Sequence, residues 1–257
     1  MARQRAIYQR IADELRADIT AGTLREDMRL PTEAELAQRW KTSRATAVQG
    51  LKVLVNEGLI VADRPRGYFV RKRRPMVYRP QAEFRIPEPD ADIFRQRIAD
   101  EQDSREPSQK IEVAISSPSK TVQRRLHIDA KTAVAVRRRM RSIDGDPFNL
   151  NDSHVPLSLV EGTDWMSPED VPRGTNRVLA ELGYEIIHSV DEIMVRMPTP
   201  EESSRLALGP GTPVAEHIVT GYARRDGRET PVQVTVNILP GDRHVIIYDR
   251  VREGESA

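Results

Sequence analysis

The fold is decided by the stretch PTEAELAQRWKTSRATAVQGLKVL, residues 31–54. Thr32 can cap the N-terminus of a helix, and Glu35, three residues later, can close a capping box. Ser43 is a second capping residue, and only a short connection at residues 41–42 separates its helix from the first one. The sequence therefore predicts two helices joined by a tight turn, with the first turn of the second helix pointing outward.

The segments around this stretch complete a known motif. Before it, one apolar stripe at four-residue spacing predicts a helix that Gly22 ends. The stripe consists of Ile7, Ile11, Leu15 and Ile19. After it, Gly58 ends the helix that Ser43 begins, and residues 59–61 and 68–70 predict two strands joined by a turn. Helix, helix, tight turn, helix and hairpin is the order of a winged helix-turn-helix.

The charges are divided unevenly along the chain. Residues 1–79 hold 17 Lys and Arg against 9 Asp and Glu, a net charge of +8, whereas the whole chain has +1 and the remainder therefore −7. A basic module attached to an acidic one indicates a polyanionic partner for the first module only.

Several classes of protein are disfavoured by composition. The chain has no cysteine, which excludes disulfides, thiolate metal sites and a cysteine nucleophile. It has no apolar run of the ~20 residues that a membrane helix needs, and residues 1–10 lack the apolar core of a signal peptide. We therefore expect a cytoplasmic protein without cofactor or metal. The histidines show no metal-ligand spacing: His127, His154, His188, His217 and His244.

The rest of the chain predicts an antiparallel α+β domain, because strands outnumber helices and hairpin turns connect them. The predicted turns are residues 144–147 and 225–228. The predicted strands are residues 111–115, 133–143, 148–155, 190–197, 214–224 and 230–239, with helices at 176–182 and 199–208. A basic run and several prolines separate this part from the first. We expect a winged helix-turn-helix domain at 1–74, a linker at 75–90 and an effector-binding and dimerisation domain at 91–257.

The N-terminal quarter of the chain resembles the DNA-binding domain of the GntR family of bacterial regulators. The residues that carry the resemblance include Leu30-Pro31-Thr32-Glu33, Glu35-Leu36-Ala37, Ser43-Arg44-Ala45-Thr46, Glu57-Gly58-Leu59-Ile60 and Arg66-Gly67-Tyr68-Phe69-Val70. Two arginines that are common in the family are replaced by Ala34 and Val48. The usual operator of the family therefore cannot be assumed.

Residues 108–244 resemble the UTRA effector domain of the HutC subfamily, whose fold is similar to that of chorismate lyase. The matching residues include Arg139-Met140-Arg141, Asp144-Gly145-Asp146-Pro147, Ala207-Leu208-Gly209, Gly211-Thr212-Pro213 and Gly241-Asp242-Arg243. The resemblance implies a regulator that binds an operator as a homodimer and responds to a small molecule.

The predicted DNA contacts lie on the third helix and the wing, with Thr32 at the start of the second helix. Arg44 suits a bidentate contact to guanine, worth ~1–3 kcal/mol of discrimination, although a solvated arginine on the helix surface is the alternative. Ser43 and Thr46 suit phosphate oxygens, and Gln49 can read adenine. The full predicted set is Thr32, Ser43, Arg44, Thr46, Gln49, Arg64, Arg66 and Gly67.

The part of the chain that follows the predicted linker predicts an anionic effector. Arg139 and Arg141 alternate on one strand and share a face, where burial without an anion would be costly. A solvent-facing surface paired with acidic neighbours is the alternative. By resemblance these arginines bind effector, and Asn151 and Gln233 replace acids of sugar-phosphate-binding relatives. Thr175, at the start of a predicted helix, and Arg224 complete the predicted effector-binding set.

These observations predict a DNA-binding repressor whose operator affinity changes with a small carboxylate or phosphate effector. Two alternatives stay open. The chain could be a chorismate-lyase-like enzyme fused to a DNA-binding domain, although it shows no nucleophile triad or paired carboxylates. It could also be a plasmid-type repressor that needs no effector.

Overall fold

A computed structural model describes residues 5–63, 65–72, 75–81, 106–225 and 227–250. By contacts the chain forms two compact units, the first of residues 1–75 with 197–213 and the second of residues 76–196 with 214–257. Arg64, a predicted DNA contact, and most of the predicted linker lie outside the described residues. The bounds of the three predicted segments therefore stay predictions.

The helices and strands of the described residues confirm the predicted α+β class. They are α1 (Ile7–Thr20), α2 (Glu33–Arg39), α3 (Arg44–Asn56), β1 (Ile60–Asp63), β2 (Gly67–Val70), β3 (Met76–Tyr78), β4 (Pro107–Ser116), α4 (Lys120–Leu126), β5 (Val134–Ile143), β6 (Asp146–Pro156), α5 (Leu157–Val160), a 3-10 turn (Asp164–Met166), α6 (Thr175–Glu181), β7 (Ile186–Arg196), α7 (Pro200–Arg205), β8 (Val214–Arg225), β9 (Arg228–Pro240) and β10 (His244–Ile246).

The first unit is a winged helix-turn-helix. Its core consists of apolar side chains that are fully buried between the three helices and the hairpin: Ile11, Leu36, Leu51, Leu54 and Ile60. Between α2 and α3 the chain reverses within a few residues. Lys41 adopts a positive φ of 48° there, and the Thr42 N–H donates to the Ala37 carbonyl at 2.9 Å. This hydrogen-bonded turn is the tight connection that the sequence predicts.

Residues 197–213, which include α7, are part of the same unit. Thr199 caps α7 as predicted, with its hydroxyl accepting from the Glu202 N–H. Arg71 is buried and donates to the Thr212 hydroxyl at 2.5 Å. Gly211 has a φ of +74°, and a β-carbon there would lie 2.0 Å from the Asn56 carbonyl oxygen. Only glycine therefore fits at this point against the end of α3.

The second unit is built on a six-stranded antiparallel sheet in the order β4-β5-β6-β9-β8-β7. β3 and β10 form a separate parallel pair. One face of the sheet packs Val134, Val136 and Val234 against α4. The other face packs Ala135 and Val155 against the segment of α5, the 3-10 turn and α6. Helix α4 was not predicted from the sequence.

The centre of that second face is polar. Side chains alternate along a strand, so Arg137, Arg139 and Arg141 of β5 share one side of the sheet. Cross-strand register then places Asn151 beside Arg139, Asn237 beside Asn151 and His217 beside Asn237. We call the set Arg139, Asn151, Asn237 and His217 the polar row.

Candidate DNA interface and effector site

Two capping residues set the positions of α2 and α3. The Thr32 hydroxyl accepts from the Glu35 N–H, and the Glu35 carboxylate accepts from both the N–H and the hydroxyl of Thr32, which confirms the capping box. The hydrogen bond from the Thr32 N–H lowers the pKa of Glu35 most, and the hydrogen bond from the Thr32 hydroxyl lowers it further. The Ser43 hydroxyl likewise accepts from the Thr46 N–H at 3.2 Å and lies 2.9 Å from the Thr46 hydroxyl. Both predicted phosphate contacts on α3 thus also hold the start of this helix.

Arg44 occupies the first position of α3, and its side chain is 73% exposed. Its nearest carboxylate is Glu33, at 3.9 Å. Such a long contact at an exposed position is worth little, so the guanidinium can leave it. Gln49 is also exposed, one turn further along the helix. The structure leaves both predicted base-reading side chains accessible.

The wing carries its own exposed cation. Arg66 donates to Asp63 at 3.0 Å, its side chain is 70% exposed, and its guanidinium lies 5.0 Å from the centre of the Phe69 ring. Gly67 follows with a φ of +115°, a conformation that side chains rarely adopt. Its missing side chain lets another group approach the backbone closely.

Sequence reasoning missed Arg29, which lies beside these residues. Arg29 is exposed, forms a bridge to Phe69 of β2, and lines a cleft together with Arg44 and Gly67. No spacing or capping signal marks this position in the sequence. The contact with the wing arises only when residues 28–30 pair with β2.

In the second unit, Arg139 is the centre of a group of neutral oxygen acceptors. It donates to Asn151 Oδ1 at 3.0 Å, to the Thr175 hydroxyl at 3.4 Å and to the Ser153 hydroxyl at 3.5 Å. Gln233 donates from Nε2 to Asn176 Oδ1 at 3.1 Å. Four predicted effector residues, Arg139, Asn151, Thr175 and Gln233, therefore lie between the sheet and the start of α6.

One acceptor of this group is unsatisfied. Gln233 is only 9% exposed, and its Oε1 is buried without a hydrogen-bond partner among the described residues. A buried amide oxygen without a partner costs about 1–3 kcal/mol. A bound molecule with a hydroxyl or ammonium donor would remove that cost.

The polar row extends from Arg139 into the interior. Arginine can only donate, so its bond fixes the Asn151 amide with Oδ1 toward Arg139. Asn151 Nδ2 then donates to Asn237 Oδ1 at 2.6 Å, and Asn237 Nδ2 donates to the His217 carbonyl at 3.4 Å. His217 is fully buried, 3.3 Å from the Tyr78 hydroxyl. Sequence reasoning missed Asn237 and His217, because the register between strands brings them into this row.

The remaining arginines behave differently from one another. Arg141 shares the face of Arg139 and is half-buried. Arg224 is 59% exposed and pairs with Glu229 at 2.5 Å near the tip of the β8–β9 hairpin, with no contact to the Arg139 group in the part of the chain that is described. Arg137, which was not predicted, is fully buried and donates to the Ser167 and Glu169 carbonyls, and to the Trp165 carbonyl at 3.4 Å. Arg137 therefore anchors the loop that leads to Thr175.

Other chemistries find no support in the described residues. Within them, no group of three or more His, Asp or Glu side chains could hold a metal ion. No described helix has the length and apolarity needed to cross a bilayer.

The pKa of His154 is lowered to about 4. Burial is the larger cause, and the nearby charge of Arg138 is the smaller one.

Comparisons with known proteins agree with this architecture. A model of the UTRA domain matches residues 102–245, and one of bacterial regulatory proteins of the gntR family matches residues 7–70. An HTH-type transcriptional regulator of Streptomyces coelicolor is 30% identical over 97% of this chain and 94% of its own length. The mannosyl-D-glycerate transport/metabolism system repressor MngR of Escherichia coli is 28% identical over 86% of this chain and 87% of its own.

A crystal structure of a GntR-family transcriptional regulator superimposes with a TM-score of 0.66 at 25% identity, covering 97% of this chain and 99% of the other. Fold, site and matches together define a DNA-binding transcription regulator with a ligand-binding domain. The chain belongs to the GntR family, and its UTRA domain is consistent with the HutC subfamily.

Proposed function

We propose that this protein is a repressor that binds its operator as a homodimer and releases it when an anionic, hydroxylated small molecule binds at Arg139. The observation that carries the effector class is the buried, unpartnered Oε1 of Gln233 in the same group of side chains as the Arg139 guanidinium. An effector that bears a carboxylate or phosphate together with a hydroxyl donor satisfies both groups.

The relatives support this class of effector. The name of MngR connects that repressor with mannosyl-D-glycerate, a molecule that has a carboxylate and several hydroxyl groups. We extend only the chemical class to this chain. Because Asn151 and Gln233 are neutral amides and Arg139 is a cation, a cationic amino sugar is a poorer fit.

A ligand screen by thermal shift tests the proposal. The probes are D-glycerate, mannosyl-D-glycerate, gluconate and glucose 6-phosphate, with glycerol as the uncharged control. We expect the anionic, hydroxylated probes to raise the unfolding temperature of the wild type. Arg139→Gln should abolish the shift, whereas the matched change Arg224→Gln, at an exposed and paired arginine, should preserve it. Shifts that survive Arg139→Gln would contradict the site.

The homodimer is proposed from the edge of the sheet. β7 is an edge strand and exposes large apolar side chains to solvent on both of its faces: Ile187, Val190, Ile193, Met194 and Val195. Such an edge needs a cover, and a second copy would give two DNA-binding units for two half-sites. In sedimentation experiments Val195→Glu should yield monomers, whereas Ile115→Glu on the opposite edge strand β4 should not.

We further propose that the protein acts in the cytoplasm without catalytic turnover, because the relatives are named as regulators. Incubation with chorismate tests the enzymatic alternative, and release of pyruvate above the level of a boiled control would revive it. Operator binding that no probe alters would instead favour a repressor without effector.

A further inference from the structure

Arg29 lines the cleft between α3 and the wing and is a cation that is not among the predicted DNA contacts. This cleft has a volume of about 260 Å³ and is lined by Arg29, Thr32, Glu33, Arg44 and Gly67. Arginines occupy two of these five positions, and Gly67 has no side chain at all. The cleft lies entirely within the first unit.

The backbone of Arg29 is fixed against the wing. The Leu30 N–H donates to the Tyr68 carbonyl at 2.8 Å, and the Val70 N–H donates to the Met28 carbonyl at 2.9 Å. Residues 28–30 thus add one antiparallel β-bridge, between Arg29 and Phe69, to the hairpin. The Arg29 guanidinium lies over Gly67, with its Nε 3.4 Å from the position that a β-carbon would take there.

The charge of Arg29 is not neutralised by an ion pair. The charge of Arg29 contributes to the lowered pKa of Glu35. The Glu35 carboxylate, however, accepts its hydrogen bonds from the Thr32 N–H and hydroxyl. Glu33 faces Arg44 instead. In the described residues Arg29 has neither an ion pair nor a side-chain hydrogen bond, so its donors are available to a partner.

The geometry of a duplex supplies that partner. A recognition helix enters the major groove, while a wing contacts the neighbouring minor groove or its edge. One sugar–phosphate backbone separates those two grooves. It must therefore pass between α3 and the wing, where the cleft opens.

We propose that Arg29 is a DNA-contacting residue that binds this phosphodiester backbone from the floor of the cleft. Its role differs from that of Arg44, which reads a base edge. The inference rests on the proposed placement of α3 in the major groove. Gly67 is part of this arrangement, because a side chain at residue 67 would contact the Arg29 guanidinium.

Fluorescence anisotropy over a series of KCl concentrations tests this with the full-length protein. One probe is a 25-base-pair duplex selected from a random pool by the wild type, and the other is a duplex of the same length with shuffled sequence. Arg29→Gln should weaken binding of both duplexes by a similar factor, about three- to tenfold at ~0.1 M salt, and reduce the slope of log Kd against log salt by about 0.9. Arg29→Lys should restore the slope.

The matched control is Arg39→Gln, which removes the same charge from the same unit at an arginine that pairs with Glu14 at 2.5 Å. Its slope should equal that of the wild type. An unchanged slope in Arg29→Gln, or a loss confined to the selected duplex, would overturn the proposal. If Arg29→Gln lowers the unfolding temperature, the comparison uses Arg29→Lys, which keeps the charge. Weak binding of both duplexes by a folded Arg29→Lys variant would mean that Arg29 stabilises the wing and does not bind phosphate, which would overturn the proposal. A wild type without salt-dependent binding to either duplex would refute DNA binding itself and the assignment of Arg29 with it, whereas the outcomes above overturn the assignment of Arg29 alone.

Discussion

The arginines of the candidate DNA interface and those beneath the candidate effector site lie in opposite surroundings. In the first unit the side chains of Arg44 and Arg66 are 73% and 70% exposed. In the second, Arg137 is fully buried and Arg139 is half-buried among amides and hydroxyls. A duplex brings many phosphates and releases counterions, so exposed cations suffice for affinity. A small effector has few groups and needs donors that are already held in place.

The comparison predicts that the cost of losing an arginine follows its burial. Arg137→Met leaves the Trp165, Ser167 and Glu169 carbonyls without their donor and should lower the free energy of unfolding of the second unit by about 3 kcal/mol. Urea unfolding followed by the fluorescence of the buried Trp165 measures this, in a Trp40→Phe background that silences the first unit.

The control for this change is Arg138→Met, because Arg138 is partly exposed and lies 3.8 Å from Asp152. It should cost less than about 0.5 kcal/mol. Equal effects of the two changes would mean that burial does not separate these arginines.

The two units should also differ in their response to pH. The five histidines all lie at or beyond residue 127 and outside residues 197–213, so the first unit has none. The pKa of His154 is about 4 in the folded state, below its ordinary value of 6.5. The unfolded state therefore takes up a proton more readily, and stability falls as the pH decreases from 6.5 towards 4. At pH 4.5 the loss should be ~2 kcal/mol.

Trp165 fluorescence in the same Trp40→Phe background reports this loss. His154→Gln should remove the His154 part of it, whereas His188→Gln, at a side chain that is 53% exposed, should leave it in place. An unchanged pH profile in His154→Gln would place the pH sensitivity elsewhere.

At the DNA face, removal of an exposed arginine should cost binding and not stability. Arg44→Ala should abolish the preference for the selected duplex, about 1–2 kcal/mol of discrimination, and retain salt-sensitive binding to the shuffled one. Anisotropy with both duplexes measures it, and urea unfolding should match the wild type. Operator affinity within twofold of the wild type would show that α3 is not the reading helix.

How much of this could be predicted depends on the range of the interactions. Caps and turns are local, so the sequence around Thr32, Ser43 and Thr199 predicted α2, α3 and α7 correctly. The alternation of Arg139 and Arg141 likewise indicated a shared face. Whether an arginine on that face meets solvent, ligand or backbone depends on distant segments. Arg137 therefore escaped prediction, because the carbonyls it binds lie about thirty residues further along.

Two members of the polar row escaped prediction for the same reason. Asn237 and His217 look like ordinary strand residues in the sequence, and only the register of β6, β9 and β8 aligns them with Arg139. Arg29 is a comparable case in the first unit, since its contact with Gly67 requires the wing to fold back on residues 28–30.

The smallest predicted effect separates capping from DNA contact at the start of α3. Ser43→Ala removes the acceptor of the Thr46 N–H and should lower the free energy of unfolding by about 1 kcal/mol. Thr46→Val deletes the neighbouring hydroxyl but keeps that N–H bond, so its stability should stay within about 0.5 kcal/mol of the wild type. If both hydroxyls also bind phosphate, both variants should bind the selected and shuffled duplexes several-fold more weakly. If Ser43→Ala weakens DNA binding and Thr46→Val does not, the two hydroxyls do not both bind phosphate. This turn would then affect DNA binding only by holding the backbone at the start of α3, and the neighbouring cations would provide the affinity.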